Sequence, residues 1–192
     1  MEKRVDEIKE FVRRRINEKR FTHSVNTANE AVSLARKYGA DVDKAYIAGL
    51  LHDVAKGLSP VMLKIIAEKY CLEVDEYEQN NPELMHGKVG AAIVASELGI
   101  TDEEILSAIK WHTTGHKNMT LLEKIIYIAD IIEPGRNYTQ TEALRHLAYE
   151  DINEAMKTGL MHVMGYVKSQ GFSLHPNSIE AYEHLINTEV ND

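Results

Sequence analysis

A chain of 192 residues with a formal charge of −8 has room for one domain with a substantial core and is short for two. With 44% hydrophobic and 27% charged residues it lies outside the composition of disordered chains, and its acidic balance argues against nucleic acid as a partner. The start, Met1-Glu-Lys-Arg-Val-Asp-Glu-Ile8, is charged and helix-periodic rather than a signal peptide, and no apolar run approaches the roughly 18 residues that span a bilayer.

A cytoplasmic protein with no membrane partner is therefore expected. The single cysteine, Cys71, excludes an internal disulfide framework and reads as a small packing residue. Net negative charge still leaves room for a small phosphorylated substrate, because a bound cation reverses the field where it sits.

Helix signals recur from end to end. Val5, Ile8, Phe11, Val12 and Ile16 form one apolar stripe over 2–19, and Val25, Ala28, Ala31, Val32 and Ala35 form another over 22–38, ahead of Gly39. Asp41 can cap a third helix that runs to Ala55, and Ser59-Pro60 opens a fourth, to Tyr70. Asn81-Pro82 leads into a helix that ends at Gly99. Capping-box spacing then appears at Thr101–Glu104, Thr120–Glu123, Thr139–Glu142 and Asp151–Glu154. With terminal helices over 151–170 and 176–187, the pattern predicts one all-α domain of about nine or ten helices over 1–192. No linker or repeat interrupts it.

The chemistry centres on Ala48-Gly-Leu-Leu-His-Asp-Val-Ala-Lys-Gly57, where His52 and Asp53 stand together in an apolar run. Burying both without a partner is costly. One reading is a His-Asp pair at a helix edge; the other is a shared metal. Asp130, inside Ile125-Ile-Tyr-Ile-Ala-Asp-Ile-Ile132, poses the same problem and admits a cation or an arginine partner, Arg20 or Arg136. With His23, His86 and His112 these residues make four imidazoles and two carboxylates, a donor set sufficient for two divalent ions such as iron, manganese, cobalt or zinc. His146, His162, His175 and His184 read as surface or packing residues. Spacing alone does not bring the ligands together.

The order His23, His52-Asp53, Asp130 resembles the signature of the HD phosphohydrolase superfamily, an all-helical fold, and His86 and His112 resemble its binuclear branch. Ala48 to Lys56, Trp111-His-Thr-Thr-Gly115 and Ile128-Ala-Asp-Ile-Ile-Glu-Pro-Gly-Arg136 look like the bacterial YqeK-type HD proteins, symmetrical hydrolases of diadenosine tetraphosphate. The resemblance runs from about residue 15 to about 165, with the C-terminal helices expected to pack on that core. It implies two ions, iron foremost, one on His23, His52, Asp53 and Asp130 and a second on Asp53, His86 and His112. It also implies attack of a metal-bridging hydroxide on a tetraphosphate phosphorus, giving two ADP.

Around that centre, Lys56 and Arg136 could neutralise phosphate and His116 could protonate the leaving oxygen. Thr113, Thr114 and Lys117 could contact substrate, and Tyr138 could stack on a base. Other HD proteins with this ligand set are nucleotidases, phosphodiesterases or di-iron oxygenases, so three readings stand: nucleotide hydrolysis, oxygen activation, or a metal-stabilised scaffold without catalysis. A homodimer through exposed apolar helix faces is compatible with the pattern.

Overall fold

The computed structural model describes residues 2–137 and 140–189. These form eleven α-helices: α1 (Glu2–Arg13), α2 (Glu18–Tyr38), α3 (Val42–Leu51), α4 (Pro60–Lys69), α5 (Glu76–Asn80), α6 (His86–Leu98), α7 (Glu103–Trp111), α8 (Leu121–Ile132), α9 (Thr141–Glu150), α10 (Ile152–Ser169) and α11 (Pro176–Glu189). A 3-10 turn, Pro82–Met85, leads into α6, and the described residues contain no strand.

Side-chain capping explains most of the boundaries, and it moves several of them from where the pattern put them. The first stripe was expected to continue to residue 19, but Asn17 turns its side chain onto the Arg20 backbone N–H (2.9 Å) and starts α2 there. His23 consequently lies inside α2 rather than at its start. The third helix ends at Leu51 rather than Ala55, and residues 52–57 continue as turns.

At α7 the cap is Asp102 and not Thr101; it accepts from the N–H groups of Glu104 and Ile105. Thr120 and Glu123 form the expected reciprocal box at the start of α8, and Asp151 caps α10. Thr139 lies outside the described residues. The short α5 went unanticipated; it rests on a capping box between Asp75 and Glu78. Cys71 is exposed, at φ 52° just past α4, and does not pack.

The main core is built on α8, whose Ile125, Ile126, Ile128, Ala129 and Ile132 are buried among Leu34 of α2, Leu50 and Leu51 of α3, Ile109 of α7 and Leu160 of α10. A smaller core gathers Leu63, Ala67, Met85, Val89 and Ile93 beneath α4 and α6. Leu51 and Val54 belong to the larger core and Ala55 to the smaller, so His52-Asp53 lies on the seam between them.

Gly49 makes the approach of α2 and α3 possible: a Cβ there would stand 2.7 Å from Ala28 Cα and 3.0 Å from its N. Gly→Ala inside a helix ordinarily stabilises by about 1 kcal/mol. Here the clash is with backbone, and overpacking of that kind costs about 1–3 kcal/mol. Gly49→Ala is therefore expected to lower the denaturant midpoint, and a raised midpoint would show that the helices separate freely.

Candidate metal centre

Five helices deliver six side chains to one hollow. His23 comes from α2, His52 and Asp53 from the end of α3, His86 from the start of α6, His112 from the end of α7 and Asp130 from α8. The Asp53 carboxylate divides between two corners. Its Oδ2 lies 3.5 Å from His52 Nε2 and 3.8 Å from His23 Nε2, while Oδ1 lies 3.3 Å from His86 Nε2 and 3.6 Å from His112 Nε2. In the first corner His23 Nε2 stands 3.2 Å from His52 Nε2 and 3.0 Å from Asp130 Oδ1. In the second, the Nε2 atoms of His86 and His112 are 2.9 Å apart.

The outer nitrogens set the tautomers. Nδ1 of His52 donates to Gly49 O (2.7 Å), that of His86 to Glu83 O (2.6 Å) and that of His112 to Ile109 O (2.7 Å). His23 Nδ1 meets Glu133 Oε1 at 3.0 Å. An imidazole whose Nδ1 proton goes to an acceptor presents a bare lone pair at Nε2. The His86 and His112 nitrogens, 2.9 Å apart with both Nδ1 protons committed, cannot satisfy one another, and a cation resolves the conflict. Nitrogen and carboxylate oxygen donors, with no thiolate among them, suit divalent transition metals. His23, His52 and Asp130 form one compact group of this kind and His52, Asp53 and His112 another, with ligand atoms within 4.8 Å of one another in each.

Close approach again depends on a glycine. A Cβ on Gly87 would meet Lys110 O at 2.6 Å, Ile109 O at 3.0 Å and His112 Nδ1 at 3.3 Å, so only glycine lets the start of α6 lie against the end of α7.

Burial would lift the Asp53 carboxyl, but His52, His112 and His86 outweigh it and hold the group well below the carboxylate range. Asp130 is likewise held low, against burial, by His23, His52 and Arg136. Burial pushes His86 down to about 4; Asp53 opposes this, and His112 and Lys56 reinforce it. For His23 burial also works downward, but Asp130 and Glu133 prevail and the ring is raised above its ordinary value. The side chains of His52, Asp53, His86 and His112 are at most 5% exposed, whereas Asp130 is 22% exposed, so solvent reaches the hollow from the Asp130 side.

Arg136 takes Asp130, with Nη2 2.7 Å from Oδ1 and Nε on the backbone oxygen at 3.0 Å. Arg20 goes to Asp53 Oδ2 (2.6 Å) and not to Asp130. The sequence reading missed Glu133 and Asn26. Buried Glu133 accepts from His23, from Asn26 Nδ2 (2.9 Å) and from the Gly135 N–H. Asn26 is three residues past His23 and Glu133 three past Asp130, a spacing that puts each on its ligand's helix face or just beyond the helix end.

Of the residues expected to surround the ligands, Thr113 and Lys56 lie at the hollow. The Thr113 hydroxyl is 3.1 Å from His86 Nε2 and 3.2 Å from His112 Nε2, and half-buried Lys56 is near enough to depress His86. Two others are turned elsewhere. Buried Thr114 gives its hydroxyl to Gly115 O (2.9 Å). His116 packs on Trp111 and directs Nε2 to Glu123 Oε2 at 3.1 Å, because Glu123, fixed as a capping residue, offers a buried carboxylate beside the loop. Lys117 is exposed on the same loop. Tyr138 lies outside the described residues.

An all-helical bundle with His, His-Asp and Asp from three helices around one hollow defines the HD class, and the HD domain matches residues 20–135; the chain belongs to that family. Within it, the chain is similar over most of its length to symmetrical bis(5'-nucleosyl)-tetraphosphatases. The Bacillus subtilis protein is 38% identical over 175 residues, 91% of this chain and 94% of its own. That of Staphylococcus aureus is 41% identical over 145 residues, covering 76% and 74%. A crystal structure of a predicted HD superfamily hydrolase involved in NAD metabolism from Clostridium acetobutylicum is 41% identical and superposes with a TM-score of 0.93 over 96% of this chain and 97% of that one. Among the described residues no helix is long and apolar enough to cross a membrane.

Glu133→Gln is expected to weaken divalent-ion binding in calorimetric titration by about 10–100-fold, the usual effect of losing a ligand's orienting partner; unchanged affinity would remove Glu133 from the site. Since the folded-state value of His23 is raised, its contribution to the stability of chelator-treated protein is full below the ordinary histidine value near 6.5 and is lost as pH rises through the raised one. Urea midpoints measured across that window should fall with pH in the native chain and fall less in Glu133→Gln.

Proposed function

We propose that this protein is a metal-dependent phosphohydrolase that cleaves diadenosine tetraphosphate symmetrically into two ADP. The observation that carries the reading is the division of one buried carboxylate, Asp53, between two imidazole pairs, the arrangement a pair of neighbouring cations requires. His23, His52, Asp53 Oδ2 and Asp130 would hold one ion, and Asp53 Oδ1, His86 and His112 the other. This donor set suits iron, manganese, cobalt or zinc, and iron is the ion proposed. Two bound cations supply a lowered water pKa and charge stabilisation of the attacking and leaving oxygens.

The chain's own residues contribute position and charge. Arg136 and Arg20 flank the opening through their carboxylate partners, and Lys56 stands beside the second corner; together they supply the cationic wall a polyphosphate needs. Thr113 presents its hydroxyl where the second corner meets the loop, and exposed Lys117 on that loop suits an outer phosphate. Thr114 holds the loop rather than the substrate, since its hydroxyl is engaged within the protein, and His116 is drawn toward the Glu123 carboxylate. Water adds to a central phosphorus, the bridging P–O bond breaks, and the departing ADP oxygen takes up a proton. The identity to tetraphosphatases over 91% of the chain supports this substrate over other nucleotides and over oxygen chemistry. The reducing cytoplasm is the proposed compartment.

The metal-loaded protein should convert diadenosine tetraphosphate to ADP alone, separated by ion-exchange chromatography. ATP with AMP would overturn symmetrical cleavage, and oxygen uptake without nucleotide turnover would overturn hydrolysis. Asp53→Asn, which keeps the shape but removes the shared charge, should lower kcat by at least about 10²–10³-fold.

A further inference from the structure

The residues that match the HD domain, 20–135, stop short of α11, yet the first turn of α11 reaches back to both segments that carry the second corner. His175, immediately before α11, is buried. Its Nδ1 accepts the Asn177 backbone N–H (3.2 Å), which leaves the proton on Nε2, and Nε2 meets Asp75 Oδ2 at 2.9 Å. The other Asp75 oxygen caps α5 on the Glu78 N–H (2.9 Å). Buried Glu78 closes the box on the Asp75 N–H (3.0 Å) and takes Lys88 Nζ (2.8 Å), two residues beyond His86 in α6.

Ser178, a turn further along, gives its hydroxyl to the Thr114 carbonyl (2.8 Å), with both residues buried. Thr114 follows His112 and Thr113, the residues that complete the same corner.

We infer that the N-terminal turn of α11 is a strap that positions the His86/His112 corner, with His175 and Ser178 as its positioning residues. It sets the affinity of that corner for its ion and the placement of the 113–117 loop against the substrate. The first corner has fasteners of its own, Glu133, Asn26 and Arg136, none of which belongs to the strap. The inference rests on the two-ion reading only for its consequence for ion affinity; the mechanical link is a property of the metal-free chain.

The test uses the full chain carrying Ser178→Ala or His175→Ala, with Ser178→Thr as the conservative control. By hydrogen exchange of chelator-treated protein, Ser178→Ala should lose protection over 112–119 and His175→Ala over 75–88, with 20–30 and 121–132 unchanged. In metal titration the weaker of two binding steps should lose about 10-fold in affinity while the tighter step stays. KM for diadenosine tetraphosphate should rise, with kcat recovered at saturating metal. Ser178→Thr should restore all three.

Exchange that is unchanged, or that rises evenly along the chain, would overturn the strap. So would equal weakening of both binding steps. A native protein that takes up one ion would instead overturn the two-ion reading, and hydrogen exchange alone would then decide for or against the strap.

Discussion

Everything at this centre depends on a carboxylate with nowhere to go. Asp53 is 3% exposed, follows directly on His52, and cannot be left bare in a seam between two apolar cores. Four imidazoles and one guanidinium converge on its two oxygens. Apart from His52 itself, the fold supplies them from three other helices, α2, α6 and α7, so those helices must close around this point. Two glycines, Gly49 and Gly87, remove the side-chain atoms that would keep the helices apart. The packing of the bundle and the construction of the site are thus one problem with one solution.

The ligands fall into two kinds according to where they sit on their helices. His52 and His112 stand at helix C-termini, and His86 follows a 3-10 turn. Each gives Nδ1–H to the carbonyl three residues back. Carbonyls in a last turn lack intrahelical partners, so the imidazole satisfies the helix end and the helix end fixes the imidazole. His23 and Asp130 lie within helices, where the backbone is already committed. Their orientation has to come from side chains, and Glu133 and Arg136 supply it. In the first corner His23 and Asp130 are therefore held by charge, while His52 and the histidines of the second corner are held by backbone.

This difference also explains what could be read in the sequence. Most of the helices carry an apolar stripe that shows in the residues themselves. The span of α5, Glu76-Tyr-Glu-Gln-Asn80, has no stripe; its local sign is the Asp75–Glu78 capping-box spacing alone, and its ties to Lys88 and His175 come from separations that periodicity does not register. The ligands stood out as polar residues in apolar runs, and the resemblance grouped them. Arginine pairing was not legible: Arg20 and Arg136 were both candidates for Asp130, and only the direction of α2 sends Arg20 to Asp53. The surroundings of His116 were not legible for a similar reason. Glu123 reads as the closing residue of a capping box, and nothing in that pattern reveals that its carboxylate also meets a histidine and Ser107.

The acidic balance of the chain and a polyanionic substrate are reconciled at the level of single contacts. Asp53 and Asp130, the carboxylates closest to the reacting position, are each matched by an arginine, so the hollow is near neutral before any ion enters it. The two divalent cations proposed for the site would bring four positive charges, matching the four phosphates of a dinucleoside tetraphosphate, each of which loses its one strongly acidic proton at neutral pH. Salt screens exposed charges beyond a Debye length of about 10 Å, whereas charges within a low-dielectric cleft are screened much less. A net charge of −8 spread over the remaining surface is screened there by salt, and the pairing of arginine with carboxylate at the mouth decides which ligands the site admits.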